Sequence, residues 1–249
     1  MEKISAVIIT YNEERKIEKC IRSLDFIDEI VVVDSFSTDN TVKIAKKLGA
    51  SVFQRKFTTF GDQKNFGNKM AKNDFILSID ADEVVSKNLR DSIIDECKRG
   101  LDENTVYKIA RKTWYLNGFL NHGGYYPEYK IRLFNKNFCS WDNKKLHEGL
   151  IFSKKLKTKK LKGDLYHYSY ESIDHHLKKI ILYSEIDKKS GDFSTFKLLF
   201  SPPFRFFKSY ILKLGFLDGI RGLIFCSFSS FSIFIRYSKK FEEKINKKL

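Results

Sequence analysis

Three apolar runs in the first third of the chain each end abruptly in acidic and hydroxyl side chains. Ile4 to Thr10 runs into Tyr11-Asn12-Glu13-Glu14. Ile30 to Val33 ends in Asp34-Ser35-Phe36-Ser37-Thr38-Asp39, and Phe75 to Ile79 ends in Asp80-Ala81-Asp82-Glu83. Short apolar runs of this kind read as buried strands. Between them, apolar residues recur at helical spacing: Ile17, Cys20, Ile21 and Leu24 share one face, as do Val42, Ala45 and Leu48. Asp39 is placed to cap the second helix, and Gly49 to close it before a strand at Val52-Phe53. Alternating strands and helices select a parallel sheet covered by helices, with right-handed crossovers. All three polar tips then fall on the carboxyl edge of the sheet, where open α/β folds bind ligands.

The third tip carries the most chemistry. Asp80 and Asp82 are two apart and share a face in a regular strand. At a strand end they can converge on one hard cation, or on a ribose and a cation. Carboxylate oxygens suit Mg²⁺ or Mn²⁺, and Mg²⁺ is usually held by one or two carboxylates plus substrate phosphates. Asp-x-Asp alone reads equally as a solvated turn that caps the next helix. The other two tips, on the same edge, favour a site.

The segments Val-Ile-Ile-Thr-Tyr-Asn-Glu-Glu, Val-Val-Val-Asp-Ser-Phe-Ser-Thr-Asp-Asn-Thr and Ser-Ile-Asp-Ala-Asp-Glu, in that order and spacing, resemble family 2 glycosyltransferases. Tyr125 to Phe134, Leu146-His147-Glu148 and Phe216-Leu217-Asp218-Gly219 are similar to the lipopolysaccharide-core β-1,4-glucosyltransferase type within that family. The resemblance implies an α/β, GT-A (nucleotide-diphospho-sugar transferase) fold. That is a Rossmann-like, mostly parallel sheet flanked by helices. It also implies inverting, metal-dependent transfer of a sugar, glucose first, from a UDP-sugar donor to a lipid-linked saccharide acceptor. On this resemblance Thr10, Tyr11, Asn12, Glu13, Asp34 and Ala81 lie at the base and ribose. Asp80 reaches the ribose or the metal, and Asp82 ligates the Mg²⁺ or Mn²⁺. Gln63, Lys64 and Asn65 are nucleotide-side candidates. Lys64 is within a residue's reach of a diphosphate in that picture, or else belongs to a plain amphipathic helix with Phe66 and Met70 in the core. His167, in the strand-like run Leu165 to Tyr170, either returns to the metal or is simply packed among aromatics.

Inverting transfer needs a carboxylate within hydrogen-bond reach of the acceptor hydroxyl. Glu148 is the candidate base, Asp142 the next, with His147 orienting the base or the acceptor and Trp141 on the acceptor side. Tyr129 to Phe134 alternates like a strand, which puts Lys130 and Arg132 on one face. Arg132 is then a clamp for a phosphate or sugar acid, or a solvated sheet residue. His175 and His176, on a helix from Ile173 to Lys188, are expected to face solvent or an interface.

The formal net charge of +15 calls for an anionic partner. Carboxylate-tipped strands argue against a nucleic-acid groove, so an anionic membrane or acidic glycolipid fits better. The four cysteines, Cys20, Cys97, Cys139 and Cys226, show no metal spacing and read as reduced core thiols. Met1-Glu2-Lys3 leads straight into the first strand, which with the thiols points to the cytoplasm. Composition changes at residue 193. Residues 1–192 read as the catalytic domain, with 1–100 its nucleotide-sugar half and 101–192 its acceptor half. Residues 193–249 read as basic, aromatic helices, broken at Pro202-Pro203. The uncharged run Gly222 to Ile235 is too short to cross a bilayer, so these helices are expected to lie on the inner face of the membrane. A homodimer interface is the alternative for this tail. Transfer to polyprenyl phosphate is the rival activity, and a non-catalytic nucleotide-sugar-binding or RNA-binding protein the rival class.

Overall fold

The computed structural model describes residues 2–144, 148–187 and 193–246, so His147 lies outside the described residues. The chain forms two compact units: Met1–Arg111 with Tyr129–His167, and Lys112–Glu128 with Tyr168–Leu249. This division by packing differs from the composition break at residue 193.

The first unit begins with β1 (Ile4–Thr10), α1 (Ile17–Arg22), β2 (Glu29–Asp34), α2 (Thr41–Lys47), β3 (Ser51–Gln54), α3 (Phe60–Met70) and β4 (Phe75–Asp80). Strands β1 to β4 pair in parallel in the order β3-β2-β1-β4. The register sets Thr10 opposite Asp34 and Ile9 opposite Asp80, so the three polar tips do share one edge. The chain continues through β5 (Glu83–Val85), α4 (Lys87–Arg99), β6 (Thr105–Tyr115), β7 (Gly118–Phe119), β8 (Glu128–Asn135), β9 (Cys139–Trp141), β10 (Leu150–Phe152) and β11 (Lys157–His167). Beyond β4 the sheet runs β8-β6-β11-β5, with β4–β8 and β11–β5 antiparallel, which makes the sheet mixed. The basic run Lys157 to Lys162 is part of the long strand β11.

Both faces of the sheet are covered. On one, Ile17, Cys20, Ile21 and Leu24 pack with Ile8, Ile79, Leu89 and Ile93. On the other, Val7, Val31, Ile76, Phe134 and Trp141 pack with Phe66 and Met70 of α3. Burying each such aliphatic side chain stabilises by roughly 1.5–3 kcal/mol. Helix α3 lies especially close: a Cβ at Gly67 would stand 2.4 Å from Val7 Cγ1 and 3.0 Å from Val33 Cγ2, so glycine is required there. All four cysteines are buried and unpaired. Burial pushes the Cys97 and Cys139 thiols up to about 11, as fits inert core residues.

The second unit contains the β6–β7 hairpin end and the helices α5 (Ile173–Asp187), α6 (Thr195–Phe207) and α7 (Gly219–Asn246). One π-helical turn (Lys208–Leu212) and one 3₁₀ turn (Gly215–Asp218) join α6 to α7. Two expectations fail here. Helix α6 runs continuously through Pro202 and Pro203, because α7 braces it: Ser230 Oγ donates to the Pro202 carbonyl at 2.7 Å, and Arg205 Nε to Ser229 Oγ at 2.9 Å. His176 does not face solvent. It is buried against Tyr115, Tyr170, Phe225 and Phe228, with Nδ1 3.1 Å from the Tyr115 hydroxyl. The uncharged run Gly222 to Ile235 is the middle of a 28-residue helix, and Gly215–Asn246 is long and apolar enough to cross a membrane by length and composition.

Candidate active site

The loops after β1 and β2 are stitched to each other. Asn12, in the left-handed region at φ 53°, donates its N–H to Ser37 Oγ at 2.8 Å and accepts from Thr38 N at 2.8 Å. Glu13 N donates to Thr41 Oγ1 and Glu14 N to Asp39 Oδ2. Burial works to raise Asp39, but bonds from Thr41 and the Glu14 N–H hold its carboxyl below the usual range. Asp34 is fully buried, accepting from Ser37 N, Ser37 Oγ and Gln54 Nε2. Tyr11 and Phe36, the aromatic residues of these two loops, are largely exposed. Thr10 and Ala81 are buried at the ends of β1 and β4.

Lys64 lies at the centre of the carboxyl edge. It is 3% exposed, and its Nζ reaches Glu148 Oε1 at 2.6 Å and Asp80 Oδ1 at 3.3 Å. Local sequence explains how. The helical positions Gly61, Lys64 and Asn65 share a face of α3 that receives β9 and the loop after it. Asn65 clamps Trp141 by both backbone groups, with Trp141 N donating to Oδ1 and Asn65 Nδ2 donating to Trp141 O, each at 2.8 Å. A Cβ at Gly61 would overlap the Asp142 carbonyl, so glycine admits that loop. Trp141 is therefore buried, its ring 4.7 Å below the Lys64 ammonium, where it forms a floor rather than an open sugar platform. Asp142, the alternative base, is drawn into its own loop: it accepts from the backbone N–H of Lys144 and Gly149 and pairs with Lys144 Nζ at 2.9 Å.

Behind Asp80 stands a second cation. Arg132 bonds Asp80 Oδ2 at 2.8 Å and Glu83 Oε1 at 2.5 Å, and Arg111 lies 3.8 Å from Glu83. Arg132 is thus buried among the site's own carboxylates and does not project as an acceptor clamp or solvated residue, because the end of β8 is covered on both faces. Burial opposes the ionisation of Asp80, yet Arg132 and Lys64 overcome it and hold its carboxyl far below the usual range. Burial and the charge of Asp80 push Glu83 up despite Arg132. Cys20 Sγ lies 3.7 Å from the Asp80 carbonyl, its thiol pushed well up by burial and the nearby carboxylates. Glu83 and Arg111 carried no site role in the sequence reading, and Cys20 was read only as a core thiol.

Asp82 and His167 meet on neighbouring strand ends, with His167 Nε2 3.3 Å from Asp82 Oδ2. No group of three His, Cys, Asp or Glu placed to hold a metal occurs among the described residues. Asp80, expected as a third ligand, has both oxygens engaged by Lys64 and Arg132. One carboxylate and one imidazole still fit a divalent cation that takes its remaining ligands from a diphosphate. Buried side-chain atoms lacking any hydrogen-bond partner include Thr10 Oγ1, Gln63 Oε1, Arg132 Nε, Trp141 Nε1 and His167 Nδ1.

Comparison with known proteins agrees with this geometry. The family model described as Glycosyl transferase family 2 matches residues 5–153. A Rickettsia typhi protein described as an uncharacterized glycosyltransferase is 36% identical, over 96% of this chain and 87% of its own length. The lipopolysaccharide core biosynthesis glycosyltransferase LpsC of Rhizobium meliloti is 29% identical, over 95% of this chain and 94% of its own. The crystal structure of S. aureus TarS 1-349 shares the fold, with TM-score 0.50 and 16% identity over 98% of this chain and 92% of that one. The chain is a glycosyltransferase and belongs to glycosyl transferase family 2.

Proposed function

We propose that the chain transfers a sugar, glucose first among candidates, from a UDP-sugar to a lipid-linked saccharide of lipopolysaccharide core or a similar envelope glycan. The similarity to LpsC along nearly the whole of both chains supports the acceptor class. In the same reading the protein works as a cytoplasmic enzyme on the inner face of the membrane. The observation that carries the chemistry is the bridge from Asp80 through Lys64 to Glu148. It holds a carboxylate from the acceptor side beside the strand tips that receive the donor. The stitched loops after β1 and β2, with Thr10, Tyr11, Asn12, Glu13 and Asp34, would take the base and ribose. Asp82 and His167 would hold Mg²⁺ or Mn²⁺, which when bound stabilises the negative charge of the departing nucleoside diphosphate.

Glu148 takes the proton of the acceptor hydroxyl. The hydroxyl oxygen bonds to the anomeric carbon as the bond from that carbon to the diphosphate oxygen breaks. One displacement on the opposite face inverts the configuration. A diphosphate arriving at this edge offers Lys64 an anion in place of Glu148 and so frees Glu148 for the acceptor. Glu148→Gln should keep UDP binding while lowering transfer by about 10²–10⁴, the usual worth of a positioned base. A panel of nucleotide sugars with Mn²⁺ or Mg²⁺, scored by binding and slow hydrolysis, identifies the donor. Transfer at the parental rate in Glu148→Gln, or no UDP-sugar bound with either cation, would refute the assignment.

A further inference from the structure

Helix α6 and the turns that follow it expose a stripe that a water-soluble surface does not need. Phe196, Phe200, Phe204, Phe207 and Ile211 follow one another at spacings of four, four, three and four, one face of a helix, and every one is exposed, Phe196 to 69%. Leu212, Leu214, Phe216, Leu217 and Ile220 extend the exposed apolar surface through the π and 3₁₀ turns to the start of α7. Isolated exposed apolar residues are ordinary, but a continuous run of this size marks an interaction surface. Lys197, Lys208 and Lys213 are exposed within the same segment, and no Asp or Glu occurs from Phe193 to Leu217. The first acid, Asp218, is buried, accepting from Asn121 N, His122 N and His122 Nδ1.

We infer that this α6-to-3₁₀ face is a monotopic insertion surface for anionic lipid. The inference rests on the membrane position proposed above and deepens it by naming the element that inserts. Aromatic and leucine side chains enter the acyl boundary while the lysine stems reach back to lipid phosphate. Charge decides between occupants. A second copy docked through the same patch would set lysines against lysines with no carboxylate to meet them, since a two-fold contact pairs a surface with itself. An anionic bilayer supplies the missing charge. Spanning by α7 is the other membrane arrangement. Helix α7 packs along both α6 and α5, and α5 carries Asp174, Lys178, Lys179 and Glu185. A span would draw those charges into hydrocarbon, whereas a flat α6 face leaves them outside.

The test uses the full chain and preformed vesicles of phosphatidylcholine with or without phosphatidylglycerol, at low and high salt. The protein should sediment with the anionic vesicles, bind neutral ones far less, and leave them as salt rises. Phe200→Ser with Phe204→Ser, and separately Lys197→Glu with Lys208→Glu, should each lower binding by about tenfold or more. Leu212→Trp keeps the face apolar and adds a reporter to Trp114 and Trp141: on anionic vesicles it should show a blue shift and a quenching by brominated lipid beyond those of the parent. UDP binding with Mn²⁺ is measured on every variant. Its persistence with vesicle binding lost shows a folded enzyme that has lost only its anchor. If UDP binding fails in the parent as well, the donor reading falls while the lipid result stands. Parent protein that stays in the supernatant, or Leu212→Trp that remains in water, overturns the inference. So does dimerisation of the parent that the serine pair abolishes, which would reassign the face to a second copy.

Discussion

Replacing Lys64 by Met keeps the length of the side chain and removes the cation between Asp80 and Glu148. At 2.6 Å and 3.3 Å the two attractions are each about 5–6 kcal/mol at an effective dielectric constant near 20. Most of that offsets the cost of taking Lys64 out of water. Losing one member of a buried pair typically costs 3–5 kcal/mol. The side chains of Asp80 and Glu148 keep 27% and 18% of their exposure and can rehydrate, so the low end applies, about 3 kcal/mol. For a chain of this size each kcal/mol moves the melting temperature by about 2–4 °C, so a fall of roughly 6–12 °C is expected. The assay is a double-mutant cycle of Lys64→Met and Glu148→Gln, followed by thermal or urea unfolding. Once Lys64 is gone, neutralising Glu148 should cost less, giving a coupling of about 1–3 kcal/mol. Additive effects, or a melting temperature that Lys64→Met leaves in place, would refute the bridge as an energetic unit.

Two further outcomes follow from particular contacts. Asp82→Asn keeps the shape beside His167 and removes the charge, so UDP binding should lose its dependence on Mn²⁺, as calorimetry with and without the ion would show; unchanged metal dependence would remove Asp82 from the site. Burial, with Lys179 and His175 adding, pushes the His176 imidazole down to about 4. The unfolded chain therefore takes up a proton that the fold resists. Stability is full above about pH 6.5 and falls as pH drops towards 4, by about 3 kcal/mol at most. His176→Phe should flatten melting temperature against pH over that window, and parallel curves for parent and variant would contradict the assignment.

The parallel half of the sheet was legible because its signals are local. Apolar runs, polar ends and helical spacing each occupy a few neighbouring residues, and the register then brings Thr10, Asp34 and Asp80 together. What escaped notice is long-range or depends on coverage. The Lys64–Glu148 pair spans 84 residues, and nothing in either segment names its partner. Arg132 was read from strand alternation, a rule that holds when one face of a sheet is solvated. Here β8 pairs with β4 inside a covered sheet, so Arg132 and Leu133 are both buried. His176 was misplaced because its helix carries charges on several sides, and only the aromatic cage reveals which side turns inward. Pro202-Pro203 was read as a break because local chemistry forbids two helical hydrogen bonds there, while the bracing by Ser230 and Ser229 comes from a distant helix.

The stitching of the first two loops bears on how a donor would be recognised. Four backbone N–H groups, of Asn12, Glu13, Glu14 and Thr38, already donate to side chains across the gap between β1 and β2. The conformational entropy of that end of the site is surrendered when the protein folds, not when a ligand arrives. On the proposed site, a nucleotide entering there would meet a preformed mould. Selectivity among bases would then be set by fit to fixed walls, and an altered base would be rejected at once rather than accommodated by a loop that adjusts around it.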